Sequence, residues 1–467
     1  MNHLVYLKRL LLFLVLTFLL FGIWSCAPKT AGVSLPIDTT SVFSASGSQQ
    51  APQKWWLAFG DSQLNNYVDS ALTSNFNLKT AWERFRESQA VVKRESSSFF
   101  PTLDASAQGE ISQYQNQYIQ NQSFQLGLSS GYEVDLWGRI KSQVDAERFR
   151  AEAGFFNYQT AALSLSAEIV RNYFQLIEAQ NQLDIVSQQV KTNEHMLELI
   201  KARFGSGQIR SADILRQKQL LESTREEKII AATRLQLLKN RLQVLLGGLP
   251  QEKLSFQDDT LPKLPPIPNT GVPADLIRRR PDVQSAYKLV LAADREVAAA
   301  ISNQYPRFSI SASASTSADK VEDLFADWGR SLGGSLLAPV FYGGRLKAEA
   351  DRSKAFKNQR LYSYGQTILN AFKEVEDALL QEKRQHDKIQ SIQKQLDLAR
   401  QTYEQLRVEY FNGMGGYLDV LTALEEVQRL RRSLLAAHLQ LLEYRVSLYR
   451  SLAGGFDTER TTTINNK

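Results

Sequence analysis

Residues that alternate between apolar and polar occur in two pairs of segments, one pair in each half of the chain. The first pair covers 102–114 and 123–137, and the second covers 307–318 and 331–342. The last segment alternates poorly and contains Pro339. A period of two is typical of β-strands with one apolar and one polar face. The pattern therefore predicts four strands, arranged as two hairpins.

A long repeat of apolar positions, seven residues apart, follows the first pair of strands. Residues 140–204 contain no proline and one interior glycine, Gly154. A helix of this length would extend about 100 Å at about 1.5 Å per residue, and the repeat is typical of a coiled coil. Helical hairpins with antiparallel return helices are predicted over 139–246 and 345–452. The apolar seam of the first long helix consists of Ala162, Ile169, Leu176, Leu183, Val190, Leu197 and Phe204.

The second half of the chain repeats the plan of the first. One constant shift places Asp419 on Asp213 and Gly413 on Gly207, which indicates an internal duplication. The copied seam reads Ile368, Val375, Glu382, Ile389, Leu396, Tyr403 and Tyr410. The predicted order is a signal peptide over 1–25, a lipidated linker over 26–54, a first repeat over 55–250, a linker over 251–273, a second repeat over 274–456 and a tail over 457–467.

Charge and composition exclude several classes of function. The formal net charge is +6, but basic and acidic residues alternate along the helices, so solvated helix surfaces explain the charge better than nucleic-acid binding does. One Cys and four dispersed His exclude a disulfide framework and argue against a Cys/His metal site. No nucleophile–base pair is apparent either. We therefore predict no cofactor, no metal and no enzymatic activity.

The N-terminus reads as a secretory signal that ends at a cysteine. Basic residues Lys8 and Arg9 precede an apolar run, and Cys26 follows it. This order is typical of a bacterial lipoprotein signal and predicts lipidation of Cys26, although Trp24 departs from the small residue expected there. The alternative is an uncleaved signal anchor, for which the apolar run is short.

A secretion signal together with two-faced strands favours strands that span a membrane. Four strands cannot close a barrel, and an open sheet edge is not tolerated in lipid. Several chains would therefore share one barrel, and three chains would supply twelve strands. The predicted fold class is mainly α with a membrane β-barrel, built from long antiparallel coiled-coil hairpins and four strands per chain.

Five segments, taken in this order and with the lipoprotein start, carry a resemblance to a known family. They are WWLAFGDSQLNNYVDSALTSNFNL (55–78), YEVDLWGRI (132–140), LIRRRPDV (276–283), PVFYGGRLKAEAD (339–351) and GGYLDVLTALEEV (415–427). The chain resembles the TolC family of outer-membrane efflux proteins. Within that family it is similar to the NodT-type, OprM-like lipoproteins of resistance-nodulation-division (RND) multidrug efflux systems.

The resemblance implies a homotrimer with a shared twelve-stranded barrel in outer-membrane lipid, an α-helical barrel in the periplasm and a small equatorial region. It implies passive conduction of small molecules from a periplasmic adaptor protein and an inner-membrane RND pump to the exterior. Two alternatives stay open. One is a lipid-anchored periplasmic coiled-coil protein without a pore, and the other, within the family, is a metal-efflux or type I secretion channel.

The resemblance also places a periplasmic gate at the tips of the hairpins. Asp419 matches a ring aspartate of the family, and Asp213 and Tyr410 match positions that constrain the closed state. The alternative for both aspartates is simple N-capping of the helices that follow. The chain departs from the family at Thr422, where a second aspartate is expected, and at Gly415, where some members carry a basic residue.

The tips are rich in glycine, and the resemblance makes them the contact surface for the adaptor. Turn geometry explains the glycines equally well. The residues assigned to adaptor contact are Gly205, Gly207, Arg210, Gly413, Gly415 and Gly416.

Prolines and glycines mark the places where helix and strand exchange. Abrupt redirection of the chain favours these two residue types. Arg139 and Arg345 follow the glycines at helix N-termini, where the helix dipole disfavours a cation, so lipid head groups are predicted as their partner. The transition residues are Pro101, Gly138, Pro306, Gly343 and Gly344.

Overall fold

The computed structural model describes residues 42–48, 52–113, 120–254, 256 and 260–461. The strands in these residues are β1 (Thr102–Gln113), β2 (Gln120–Val134), β3 (Arg307–Ala318) and β4 (Gly329–Leu337). The α-helices are α1 (Ser62–Ser74), α2 (Phe76–Ser96), α3 (Arg139–Gly205), α4 (Ser211–Leu245), α5 (Pro273–Arg279), α6 (Pro281–Ser302), α7 (Arg345–Phe411) and α8 (Tyr417–Leu452). The predicted mainly helical fold with four strands is confirmed.

The four strands form one antiparallel sheet in the order β1-β2-β3-β4. The two predicted hairpins are therefore joined, because β2 of the first pairs with β3 of the second. β4 ends at Leu337, before Pro339, because proline lacks the N–H that a paired strand donates. β2 ends at Val134 rather than at 137, where Asp135 begins the turn into α3.

The register gives the sheet one mainly apolar and one mainly polar face, with Ser130 and Arg330 on the first and Leu337 on the second. Leu128 lies opposite both Ala105 and Ala314, and Ile310 lies opposite Tyr132. Because side chains alternate across a strand, the intervening serines and glycines share the other face. The apolar face carries Leu103, Ala105, Ala107, Ile111, Phe124, Leu126, Leu128, Tyr132, Val134, Phe308, Ile310, Ala312, Ala314, Leu332 and Leu336. The polar face carries Asp104, Ser106, Gln108, Glu110, Gln125, Ser129, Glu133, Ser309, Ser311, Ser313, Ser315, Ser331 and Ser335.

The chain divides into two compact units. One contains the sheet and the described residues of 84–155 and 285–366, and the other contains those of 42–83, 156–284 and 367–461. Among the helices of the described residues, we find no segment with the length and hydrophobicity of a transmembrane helix.

In the second unit, side chains of the long helices fix their order as α4-α3-α8-α7. Asn193 of α3 donates to Thr224 of α4 at 2.8 Å, and Gln189 of α3 donates to the backbone carbonyl of Gln428 of α8 at 3.1 Å. Gln385 of α7 donates to the carbonyl of Ala437 of α8 at 2.8 Å. α3 and α8 therefore lie in the middle of the layer, and α4 and α7 lie at its edges.

The main hydrophobic core of this unit gathers around the middle of α3 and α8. Trp55 and Trp56 are completely buried in it, together with Phe174 of α3 and Val446 of α8. Phe456, beyond α8, packs edge to face on Trp56 with ring centroids 5.0 Å apart. Segments outside the hairpins are thus wrapped onto the helices.

The heptad seam is not apolar throughout. Glu382, at a seam position of α7, is buried, and both of its carboxylate oxygens accept from the guanidinium of Arg445, at 2.8 and 2.6 Å. Arg445 also donates to the carbonyls of Pro265 and Pro266. Phe204, at the end of the first seam, is 45% exposed.

Residues 42–48 are attached to the second unit. Phe43 packs on Phe372 of α7, and both the backbone N–H and the hydroxyl of Ser44 donate to Glu376, at 2.9 and 2.6 Å. The N–H of Gly47 donates to the carbonyl of Pro268 at 3.1 Å. Cys26 and the predicted signal peptide lie outside the described residues, so their lipidation stays a prediction.

Candidate functional site

The two hairpin tips reverse the chain in the same way. α3 ends at Gly205 and α4 begins at Ser211, whereas α7 ends at Phe411 and α8 begins at Tyr417. Gly207 and Gly413 have φ angles of 73° and 78°, in the left-handed region that favours glycine. Turn geometry therefore accounts for these two glycines.

The other tip glycines have no positive φ. Gly205 is the last residue of α3, and a Cβ on it would meet nothing within 4 Å. Gly415 lies in the second turn and Gly416 is the N-cap of α8. The structure therefore gives no steric reason for glycine at 205. Arg210, the N-cap of α4, is exposed.

Behind the tips, helices of both repeats share one apolar cluster, which we call the tip cluster. It consists of Met196, Ile200, Tyr410, Tyr417, Val420 and Leu421. Tyr410 and Tyr417 pack with ring centroids 5.4 Å apart. Arg203 of the first repeat lies over the ring of Tyr410 at 4.9 Å and donates to the carbonyl of Phe411 at 3.4 Å. The first hairpin thus holds the end of α7.

The two tip aspartates, equivalent by duplication, have different surroundings. Asp213 is 6% exposed, accepts from the backbone N–H of Arg210 at 3.4 Å and lies 3.6 Å from Arg216. Asp419 is exposed and has no hydrogen bond or ion pair with any described residue. Neither is the N-cap as the capping alternative predicted, because both occupy the third helical position. The buried Asp213 forms half of a capping box.

A chain of buried polar side chains, the tip network, continues from the tip cluster into the hairpins. Tyr417 donates to Gln217 Oε1 at 2.5 Å, and Gln217 donates to the backbone carbonyl of Asn193 at 2.8 Å. The amide of Asn193 donates to Thr224 at 2.8 Å and accepts from Gln428 at 3.0 Å. Asn193 and Gln217 are completely buried, so each of these bonds is made away from water, where an unmade bond is costly.

Sequence reasoning missed this network. Asn193 lies three residues after the seam residue Val190, at a position where a coiled coil expects an apolar side chain. Gln217 and Gln428 likewise interrupt the apolar pattern of α4 and α8. Polar residues at these apolar positions could have indicated a buried polar network. Only the order of the helices shows that the residues contact one another.

Burial raises the pKa of Tyr417, and the ionised forms of Tyr410 and Tyr403 would raise it further. Burial also raises the pKa of Tyr410 and Tyr403. A folded-state pKa above the unfolded value of about 10 contributes stability below that pH, and the contribution is lost as the pH rises.

The melting temperature should therefore fall from about pH 10 upward. The fall should be less steep in the variant Tyr417→Phe, because phenylalanine has no hydroxyl to ionise. This comparison of slopes holds even if the variant melts at a different temperature at neutral pH. Thermal unfolding followed by circular dichroism between neutral and alkaline pH measures both slopes. Parallel slopes would show that Tyr417 does not carry the effect.

At the strand-to-helix turn, Asp135 satisfies the start of α3. Its carboxylate accepts from the backbone N–H groups of Ile140 and Lys141, at 3.0 and 2.8 Å. Arg139 pairs with the carboxylate of Glu133 at 2.8 Å. The predicted lipid partner of Arg139 is thus replaced by a carboxylate of the same chain.

The transition residues of the two repeats meet. The indole of Trp137 donates to the carbonyl of Pro306 at 2.7 Å and stacks on Tyr305 with centroids 5.0 Å apart. Gly138, Gly343 and Gly344 have φ angles of 69°, 57° and 83°. Pro101 precedes β1 directly, as Pro306 precedes β3. Arg345 lies over the ring of Tyr342 at 5.0 Å.

The model of one protein family, the outer membrane efflux protein family, matches the chain twice, over residues 67–248 and 272–454. The chain belongs to this family. Because the two matches fall on the two halves, they also confirm the duplication. Membership makes the chain an outer-membrane efflux protein and confirms the resemblance on which the predicted transport function rests.

Relatives in this family match along almost their whole length. The pyoverdine export outer membrane protein OpmQ of Pseudomonas aeruginosa is 28% identical over 93% of this chain and 94% of its own. The cation efflux system protein CusC of Escherichia coli K12 is 27% identical over 92% and 96%. The solved outer-membrane channel OprN superposes with a TM-score of 0.80 at 28% identity, covering 92% of this chain and 98% of its own.

Proposed function

We propose that three copies of this outer-membrane efflux protein form one conducting channel, in which a shared twelve-stranded barrel spans the membrane. The observation that carries the proposal is the sheet. One of its faces is mainly apolar, interrupted by Ser130, Thr316 and Arg330. In the single chain both edge strands, β1 and β4, lack an outer partner among the described residues. In lipid each edge needs a partner, and β4 of one copy can pair with β1 of the next.

The helical layer supports the same assembly, because its edge helices expose apolar side chains. On α4, Ile229 is 68% and Leu237 is 62% exposed, and on α7, Leu398 is 63% exposed. Exposed apolar side chains on α4 are Leu215, Ile229, Ile230, Leu237 and Val244, and those on α7 include Leu369, Leu380, Leu398 and Val408. Packing α4 of one copy against α7 of the next would bury both rows and close a tube.

In this channel the barrel formed by the strands conducts across the outer membrane, and the helical tube extends into the periplasm. The tips would receive a periplasmic adaptor protein, and an RND-type inner-membrane pump would supply the energy. Tip residues Arg210, Gly413 and Gly415 are exposed and accessible to such a partner. The lipidated Cys26 would anchor the chain. We also propose that the two repeats of the chain extend over residues 55–250 and 274–456.

We further propose that the tips are the gate, with Asp419 facing the pore and Asp213 and Tyr410 holding the closed state. Asp419 is free to face an aqueous opening, because it is exposed and unpaired with any described residue. Three such carboxylates around one axis would attract cations and exclude anions.

Asp419→Asn should lower the cation-to-anion permeability ratio of the channel roughly twofold or more. The measurement is the reversal potential in planar bilayers under a KCl gradient. Asp397→Asn, an exposed aspartate of α7 in an ion pair with Arg400, is the matched control and should leave the ratio unchanged.

Three results would overturn these proposals separately. A purified protein without any conductance would favour the pore-free coiled-coil protein. A monomer or dimer in detergent would contradict the trimer. An unchanged permeability ratio in Asp419→Asn would remove Asp419 from the gate and leave the channel standing.

A further inference from the structure

A polar cavity lies along α3, beside the edge of the hydrophobic core. The positions Glu168, Arg171 and Gln175 are spaced three and four residues apart and share one face of the helix. Core residues such as Ile169 and Tyr173 lie on the opposite face. The cavity has a volume of about 200 Å³ and is lined by Ser164, Ala167, Glu168, Arg171, Asn172, Gln175, Arg241 and Arg450.

Three arginines from three helices line this cavity, and two of them lack a carboxylate partner. Arg241 of α4 pairs with Glu168 at 2.8 Å. Arg171 donates to the hydroxyl of Ser447 at 2.9 Å but forms no ion pair with a described residue. Arg450, in the last turn of α8, forms neither a hydrogen bond nor an ion pair with any residue in the described ranges. Two unpaired like charges beside one cavity favour a bound anion.

Burial lowers the pKa of Arg171, and the positive charge of Arg450 lowers it further. The nearest acidic groups oppose this only in part. Glu443, which does not line the cavity, attracts the charge of Arg171 and accepts a hydrogen bond from Gln175 at 2.6 Å. Glu168 forms its ion pair with Arg241.

Asn172 gives an independent indication of a ligand. It is 1% exposed and lines the same cavity, yet neither its amide nitrogen nor its oxygen has a hydrogen-bond partner. Buried polar groups are nearly always paired, so an unpaired amide at a cavity indicates a partner outside the chain. An amide N–H₂ is a suitable donor to an anion.

We propose that this cavity binds an oxyanion of the carboxylate or phosphate class, held by the guanidinium groups of Arg171 and Arg450 and by the amide of Asn172. Guanidinium groups match the planar, two-oxygen geometry of these anions. The binding itself needs only one chain. Its consequence for transport rests on the proposed function. The segments that form the hydrophobic core on one side of α3 must lie outside a conducting tube, so the cavity on the other side faces the lumen. Three copies then form a basic ring that favours acidic substrates.

The test uses the full-length protein in detergent, titrated calorimetrically with inorganic phosphate and, separately, with citrate. The double variant Arg171→Gln/Arg450→Gln should weaken binding of both anions about tenfold or more. Asn172→Leu should also weaken it but should not lower the melting temperature, because leucine removes the unpaired amide. Arg384→Gln, in an exposed pair with Asp387 on α7, is the matched control and should bind as the wild type.

Absence of binding by the wild type, or equal binding by the double variant, would overturn the proposal. Loss of the trimer in the double variant without a change in anion binding would overturn it too, and would assign the cavity to a carboxylate of a second copy. KCl conductance of the same preparation separates this inference from the proposed function. A conducting protein that binds neither anion contradicts only the site, and a non-conducting protein that binds them contradicts only the channel.

Discussion

Glu382→Leu should destabilise the protein by about 3–5 kcal/mol, because it leaves the buried charge of Arg445 without its carboxylate. Arg445 is 1% exposed, and its remaining partners, among them the carbonyls of Pro265 and Pro266, carry no full negative charge. Those carbonyls belong to the linker between the repeats, so the loss should also loosen that linker. Denaturant unfolding with a probe on the helices measures the loss.

A matched control is available on the surface of α8. Glu426 pairs with Arg429, and both side chains are well exposed, so Glu426→Leu should cost about 0.5 kcal/mol or less. The double variant Glu382→Leu/Arg445→Met should recover most of the stability, since an apolar pair needs no compensating charge. Equal costs for the two single variants would contradict a buried ion pair.

Asn193→Leu should weaken the contacts that hold the two hairpin tips together. The substitution removes the acceptor of Gln428 and the donor to Thr224, which leaves the buried amide of Gln428 unpaired at a cost of about 1–3 kcal/mol. The lost bonds join α3 to α4 and to α8, so both repeats lose their connection behind the tip cluster. In the proposed channel the open state should become more frequent, and hydrogen exchange in residues 205–211 and 411–417 should rise.

Single-channel recording gives the functional readout, with mean conductance expected to increase. Gln393→Leu removes an exposed hydrogen bond to Asp397 on α7 and serves as the control for loss of an amide. Faster exchange throughout α3, rather than at the tips, would indicate general destabilisation. A closed-state conductance like that of the wild type would show that the network does not restrain the gate.

The elements with a simple period could be predicted from the sequence. Alternation located β1 and β3 to within a residue or so, and the absence of proline located the long helices. β4 differs because its pattern was weak and Pro339 ends it early. Local rules succeed where the signal lies within a few neighbouring residues.

The candidate site could be located from the sequence but not resolved. The duplication placed both tips, yet it also made Asp213 and Asp419 look equivalent, whereas only Asp213 is buried. The tip network and the partner of Arg139 depend on which helices and turns meet, and a single strand or helix pattern contains no such information. The heptad pattern shows that Glu382 and Asn193 are polar residues at apolar positions. It does not show that Arg445 and Gln428 are their partners.

The order of strands and helices has an evolutionary consequence. Inside the chain, the second strand of repeat one pairs with the first strand of repeat two, and the outgoing helix α3 of repeat one packs on the return helix α8 of repeat two. Contacts of β4 with β1 and of α7 with α4 between neighbouring copies would repeat the same relations. An ancestor with a single repeat could therefore have closed the same wall as a hexamer. Fusion of two repeats would then have allowed the two tips to differ, with a buried Asp213 in the first and an exposed Asp419 in the second.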